Sequence, residues 1–274
     1  MIKKQLSLAE HQEIIYEIAY MIDDFCLKHN INYFLYGGTL LGAIRHKGII
    51  PWDDDADLAM LRSDYSRFID LFQKEGPEGY QLLSQETTEG YRIPLLKITK
   101  NGTFFEHNGI CDMDMGIWVD ILPIDICPGS LEEVQNYFFE MNHQLNIYVM
   151  YECRSWKGKI RAQLNSGFSI PFSRQRRETI FLDLINKIKG QDIKQAKYAA
   201  CVVNGLYGKG EVQTIDFYQK LERYPFGKRD LPIPSGWNKY LTDVYGDYMQ
   251  LPPESKRKQH TQSKACLIQN ESDE

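Results

Sequence analysis

The chain has no run approaching the roughly 20 apolar residues that a membrane-spanning helix needs. Its first stretch, MIKKQLSLAEHQEIIYE, meets glutamates before any core of signal-peptide length develops. Both absences point to a cytoplasmic protein, peripheral at most to the inner face of a membrane. Paired cysteines are missing too. Cys26, Cys111, Cys127, Cys153, Cys201 and Cys266 are scattered without a C-x-x-C, so neither a disulfide scaffold nor a zinc ribbon is indicated. Cys26 and His29 share a helical i,i+3 spacing that could make half a metal site, although a buried thiol near a helix end is the simpler reading. There is no excess of positive charge: 32 Lys+Arg against 37 Asp+Glu give a formal net charge of −5, which argues against a dedicated nucleic-acid binder. No internal repeat is present. With 274 residues, 43% of them hydrophobic and 25% charged, the chain has the composition of an ordinary globule with a substantial core.

The densest chemistry lies in YFLYGGTLLGAIRHKGIIPWDDDADLAM, Tyr33 to Met60. Apolar residues Tyr33 to Tyr36 read as a strand, and Leu40, Leu41 and Ile44 as a short helix. Gly37 and Gly38 therefore occupy a strand-to-helix turn, with Thr39 expected to cap it. Glycine lets backbone N–H groups approach an anion closely, and the helix start adds unpaired donors and a positive dipole end. Downstream, Asp53, Asp54, Asp55 and Asp57 run into the apolar Leu58, Ala59 and Met60. On a strand, positions i and i+2 share a face, so Asp55 and Asp57 project together while Ala56 and Leu58 turn inward. Two such carboxylates at about 4 Å repel by about 4 kcal/mol in a protein-like dielectric, and a divalent cation is the simplest compensation. A solvated acidic turn is the bland alternative. A calcium loop of the EF-hand kind fits Asp53, Asp55 and Asp57, but Leu58 stands where that loop needs glycine and Asp64 where it needs a bidentate Glu. A phosphoryl-transfer metal site, glycine turn for phosphates and paired carboxylates for Mg²⁺ or Mn²⁺, fits best.

Elsewhere, Ser7 with Glu10 forms a capping box ahead of a helix reaching His29, and Ser130 with Glu133 forms another. Ser63 opens a helix ending near Gly76. Strands are expected at Tyr80–Leu83, Pro94–Ile98, Thr103–Phe105 and Trp118–Ile121, with Asn101-Gly102 making a hairpin between the second and third. In the last strand Trp118 and Asp120 share a face. Further helices are expected from Ile180 to Ile188 and over Trp237 to Tyr245, where Gly246 ends the second. Arg45, His46 and Lys47 lie between the glycine turn and the acidic strand, where a cation could meet phosphate charge. Lys97 could contact a phosphate, or be an exposed lysine beside a turn-supporting Thr103. From Arg154 to Arg177 seven cations occur with no acidic residue, a basic island suited to an anionic acceptor or an anionic membrane surface, or simply a solvated insertion.

The run GGTLLGAIRHKGIIPWDDDADLAM closely resembles the signature of the LicD family, bacterial phosphocholine transferases related to the fukutin-type proteins. The segment FGKRDLPIPSGWNKYLTDVYGDYMQLPPESKRKQH is similar to a second family stretch, although an acidic residue commonly follows the aromatic that matches Phe226, where this chain has Gly227. The resemblance implies an α+β nucleotidyltransferase fold, a mixed central sheet flanked by helices. It would span residues 1–258 as one domain: a core over 7–127, a helical acceptor-side region over 128–222 and a closing segment over 223–258. A partly disordered tail, 259–274, would follow. It also implies metal-dependent transfer of phosphocholine from CDP-choline to a hydroxyl of a bacterial surface glycan or glycolipid precursor, of teichoic acid or lipopolysaccharide type, with release of CMP; the alternatives are transfer of ribitol or glycerol phosphate from its CDP form, or a catalytically inactive scaffold of the same fold. Asp55, Asp57 and Asp120 would be the catalytic, metal-holding carboxylates. Gly37, Gly38, Thr39, Arg45, His46, Lys97 and Trp118 would bind substrate, with Trp118 a candidate wall for the quaternary ammonium.

Overall fold

The computed structural model describes residues 2–269 apart from 92, 107–114, 153–155, 168, 172, 190–195, 204, 206–207 and 260–263. In chain order its elements are β1 (Ile2–Gln5), α1 (Leu8–His29), β2 (Phe34–Leu35), α2 (Gly37–His46), β3 (Asp57–Leu61), α3 (Arg62–Glu75), β4 (Tyr80–Leu83), β5 (Leu96–Lys100), β6 (Thr103–Phe105) and β7 (Trp118–Cys127). There follow α4 (Leu131–Glu152), α5 (Trp156–Asn165), α6 (Arg174–Lys189), β8 (Tyr198–Ala200), β9 (Gln213–Thr214), α7 (Ile215–Gln219), β10 (Leu221–Phe226), β11 (Arg229–Pro234), α8 (Trp237–Tyr245) and β12 (Ala265–Gln269).

α1 starts where its capping box dictates. The Glu10 carboxylate accepts from the Ser7 N–H at 2.8 Å, and the Ser7 hydroxyl accepts from the Glu10 N–H at 3.3 Å. Its buried stripe, Ile15, Ile18, Ala19, Ile22 and Phe25, recurs at steps of three and four and lies on the central sheet. That sheet is mixed. Its order is β2-β3-β7-β5-β4; only β3 and β7 run parallel, and β8 with β9 extends the far end of β7. β7 is nearly all apolar because it is covered on both faces. Pro123, which has no N–H to donate, falls between the part of β7 paired with β5 (Trp118 to Ile121) and the part paired with β8 (Asp125 to Cys127). A bidentate pair from Arg62 at the start of α3 to the buried Asp125, at 2.7 and 2.8 Å, ties β7 to the helical layer.

One expectation is corrected. The turn at Asn101-Gly102 forms, with Gly102 at φ 73°, but β6 does not return along β5. Thr103 redirects it: its hydroxyl donates to the Lys100 carbonyl at 2.6 Å and accepts from the Ile117 N–H at 2.8 Å, and β6 pairs with β12. Within the tail, β12 is the middle strand of a second sheet, β1-β12-β6. Residues 270–274 lie outside the described residues.

The β10–β11 hairpin closes over α1. Arg223 donates to both oxygens of the buried Asp23 at 3.1 and 2.7 Å, and Tyr33 donates to the same carboxylate at 2.8 Å. Gly227 turns the hairpin at φ 66°, where a Cβ would run into Tyr20 and Tyr16, and its N–H donates to the Lys47 carbonyl at 2.7 Å. Glycine stands at this point because backbone packs there on two tyrosines.

Candidate active site

β2 ends at the sheet, and Tyr36 becomes the N-cap of α2 with no side-chain cap. Gly37 takes φ 52°, the left-handed value that favours glycine. α2 thus begins two residues before Thr39, which corrects the expectation that Thr39 caps it. The Thr39 hydroxyl instead accepts the Asp57 N–H at 2.7 Å, and the Tyr36 N–H donates to the Asp57 carbonyl at 3.0 Å. The glycine turn and the first residue of β3 are thereby held together, backbone to backbone. The acidic turn folds back on the same place: a Cβ added to Gly38 would lie 3.7 Å from Asp53 Oδ2.

Asp57 and Asp120 are directly opposite in the parallel β3–β7 register, and Lys97 opposes Asp120 from β5. Ala56 and Leu58 are buried while Asp55 and Asp57 are half-buried, the alternation expected of the strand entry. The Asp57 carboxyl is pushed well above the ordinary carboxylate range, first by desolvation and then by Asp55 and Asp120; Lys97 pulls it back only in part. Lys97 is buried, not exposed. Its ammonium donates to Asp120 Oδ1 at 2.5 Å and lies 4.2 Å from the centre of the Trp118 ring, while Trp118 Nε1 donates to Asp120 Oδ2 at 3.0 Å. Phe105 meets the Trp118 ring edge-on at 4.7 Å. Trp118 therefore already has a cation on its face and an aromatic at its side, a seat for Lys97 before any ligand arrives.

Among the described residues, no three His, Cys, Asp or Glu side chains are grouped so as to hold a metal ion. The donor chemistry nevertheless suits a hard divalent cation, because the groups around Asp57 offer carboxylate oxygens and Lys97 offsets the repulsion felt at Asp57 only in part.

A family model described as LicD/FKTN/FKRP, nucleotidyltransferase domain, matches residues 30–145, from the turn before β2 into α4. Lipopolysaccharide cholinephosphotransferase LicD of Haemophilus influenzae is 28% identical over 97% of this chain and 100% of its own length. The chain carries a LicD-family domain. Ribitol 5-phosphate transferase FKRP of Homo sapiens is 56% identical over 34 residues, 7% of its length. An uncharacterized protein of Rickettsia typhi is 38% identical over 96 residues, 35% of this chain.

The remaining expected residues, Arg45 and His46, lie at the end of α2 away from the glycine turn. Arg45 is in the last turn of α2, about 12 Å along the helix from Gly37 at 1.5 Å per residue. It donates through Nε to His46 Nε2 at 2.9 Å and through Nη1 to the Tyr248 carbonyl at 3.0 Å. His46 packs edge-on against Trp52, and burial followed by the Arg45 charge lowers its pKa. The basic island is divided: Arg161 and Arg176 are exposed, Arg154 lies outside the described residues, and Arg177 is buried, donating to the Pro171 carbonyl at 2.9 Å. Cys26 is a buried thiol pushed to high pKa by desolvation, and His29 packs on Phe25.

Gln12 escapes a reading of the sequence. Its amide donates to the Ile50 and Asp53 carbonyls at 3.2 and 2.7 Å and so fixes the loop that delivers the carboxylates. One turn of helix beyond a capping box, a glutamine looks like any solvated residue; only the tertiary contact distinguishes it.

Proposed function

We propose that the protein is a metal-dependent nucleotidyltransferase-fold enzyme that transfers phosphocholine from CDP-choline to a hydroxyl of a bacterial cell-surface glycan precursor and releases CMP. The observation that carries this reading is the in-register pair Asp57 and Asp120 on adjacent parallel strands, with Asp55 beside it and a glycine-started helix at its edge. The full-length likeness to a lipopolysaccharide cholinephosphotransferase supports phosphocholine as the group moved. The short, denser likeness to a ribitol 5-phosphate transferase supports a second reading, in which ribitol or another polyol phosphate is moved from its CDP form.

Asp55, Asp57 and Asp120 would hold Mg²⁺ or Mn²⁺, which when bound supplies Lewis-acid stabilisation of charge on the phosphoryl oxygens. Asp120 must then share its oxygens between the ion, Lys97 and Trp118. Its position beside Asp57 also suits it to orient the acceptor hydroxyl and accept its proton. The Gly37 and Gly38 backbone and the buried Lys97 would bind phosphate oxygens, and the exposed cations of α5 and α6 would meet an anionic acceptor or membrane surface. No helix among the described residues is long and apolar enough to cross a membrane.

Mass spectrometry of an acceptor oligosaccharide incubated with a panel of CDP-alcohols tests the reading. A mass gain of phosphocholine is expected. A gain of CMP would make the protein a nucleotide transferase instead, and no gain from any CDP-alcohol would leave it without the proposed activity.

A further inference from the structure

The carboxylate of Asp120 is oriented by a ring that is itself held from behind. Trp118 is half-buried at the start of β7, and a tryptophan on a strand has more than one open rotamer. The one it adopts brings Nε1 to Asp120 Oδ2 at 3.0 Å and sets the ring face 4.2 Å from the Lys97 ammonium. Phe105 stands against that rotamer, its ring centre 4.7 Å from the indole and its plane turned 77° to it. Behind Phe105 lies the imidazole of His11, near the start of α1, at 5.4 Å, and both of these side chains are buried. α1, β6 and β7 thus supply one row of rings that ends on Asp120. The row exists because β6 leaves β5. Thr103 and Phe105, at i and i+2, share a face of β6. The Thr103 hydroxyl accepts the Ile117 N–H at 2.8 Å, and the Phe105 ring meets Trp118, the next residue. A Cβ on Gly116 would run into the Lys100 carbonyl and the Thr103 hydroxyl, so glycine stands where the two segments approach. β12 in turn holds β6: Phe105 is opposite Ala265, and the Glu106 N–H donates to the Lys264 carbonyl at 2.9 Å. An aliphatic side chain would fill the volume of Phe105. An aromatic one also fixes the angle to the indole, because perpendicular rings set a positive edge against a negative face.

We propose that Phe105 is a positioning residue for the transfer reaction: through Trp118 it sets the direction of the Asp120 carboxylate and the seat of Lys97, and β12 holds it there. The role in catalysis rests on the transferase reading, whereas the orientation of the indole can be measured without turnover. Because Phe105 acts through Trp118, its loss should change how fast bound donor reacts rather than how tightly the donor binds.

The test is proton–nitrogen NMR of the indole N–H groups in the full chain, with W118F assigning the Trp118 resonance among those of the four tryptophans. In the parent, an indole N–H bonded to a carboxylate should resonate downfield and exchange slowly with solvent. F105L keeps apolar volume and removes the ring. Loss of an edge-on pair shifts a local equilibrium by about twofold to tenfold, so the resonance should move upfield and exchange faster by that factor. F105Y keeps the ring and should keep both values. With a CDP-alcohol and an acceptor oligosaccharide, kcat of F105L should fall by about tenfold to a hundredfold at unchanged KM, as a misplacement of about 1 Å produces, and F105Y should recover most of it. A folded F105L whose Trp118 resonance and exchange match the parent overturns the proposal. So does a Trp118 indole that exchanges in the parent as fast as free indole, an outcome readable even if F105L does not fold. A displaced indole in F105L, with no transfer by the parent from any CDP-alcohol, would leave the orientation of Asp120 through Phe105 standing and remove the transferase reading. Transfer by the parent with kcat unchanged in F105L would do the reverse.

Discussion

Asp57→Asn should make the metal-free protein more stable while removing its activity. The Asp57 backbone is bonded to Thr39 and Tyr36, but among the described residues its side chain makes no hydrogen bond that an isosteric amide would lose. Neighbouring strands lie about 4.8 Å apart, and at an effective dielectric of about 20 two unit charges at that distance repel by about 3 kcal/mol. Lys97 offsets part of this, and the half-exposed position screens more, leaving a gain of about 1–2 kcal/mol for the neutral side chain. At about 2–4 °C per kcal/mol for a chain of this size, the thermal midpoint in chelator should rise by roughly 2–8 °C. Differential scanning fluorimetry measures it, with circular dichroism to verify the fold. Mg²⁺ should then raise the midpoint of the parent protein and leave the variant unmoved. A variant that melts at or below the parent in chelator would refute the reasoning, because it would mean that the carboxylates do not strain one another.

Turnover should vanish in chelator and return with Mg²⁺ or Mn²⁺; full activity in metal-free protein would remove the metal from the mechanism. Gly227→Ala should destabilise by about 2 kcal/mol or more, from a left-handed φ and contact with Tyr16 and Tyr20, readable as a lower urea midpoint. Arg177→Gln should lower stability through its lost bond to Pro171, whereas Arg161→Gln with Arg176→Gln should raise the KM for an anionic acceptor at unchanged stability; the opposite pattern would reverse the two roles. His46 should titrate below the usual histidine value of 6.5 by NMR. Since its folded pKa is depressed, its contribution to stability is complete above 6.5 and declines as pH falls through 6.5 toward the lowered value.

Local chemistry made part of this molecule legible from sequence. The capping boxes at Ser7 and Ser130 start helices in place, and Tyr80–Leu83, Thr103–Phe105 and the Trp237–Tyr245 helix fall where periodicity puts them. The Asp57–Asp120 pairing follows from two strands whose alternation is plain, once they are set side by side. What escaped depends on contacts between distant segments. Nothing near Asn101-Gly102 says that β6 will leave β5 for β12, since a tight turn serves a sheet-switching chain as well as a hairpin. Nothing near Arg177 distinguishes it from the exposed Arg176, because a helix starting at Arg174 rather than Ile180 rotates one inward and the other out. Gln12 carries its meaning only in what it reaches.

The sheet that joins Ile2 to Gln269 also sets a timetable for synthesis. At about 5–20 residues per second, β1 emerges roughly a quarter of a minute to a minute before β12 exists to receive it. β6 must wait for the same strand. Throughout that interval the nascent chain has two open edges, and the first of them, IKKQ, is half lysine. Charged lysines on an edge discourage pairing with a neighbouring chain, so Lys3 and Lys4 guard the ribosome-bound protein against self-association until its final strand closes the clasp.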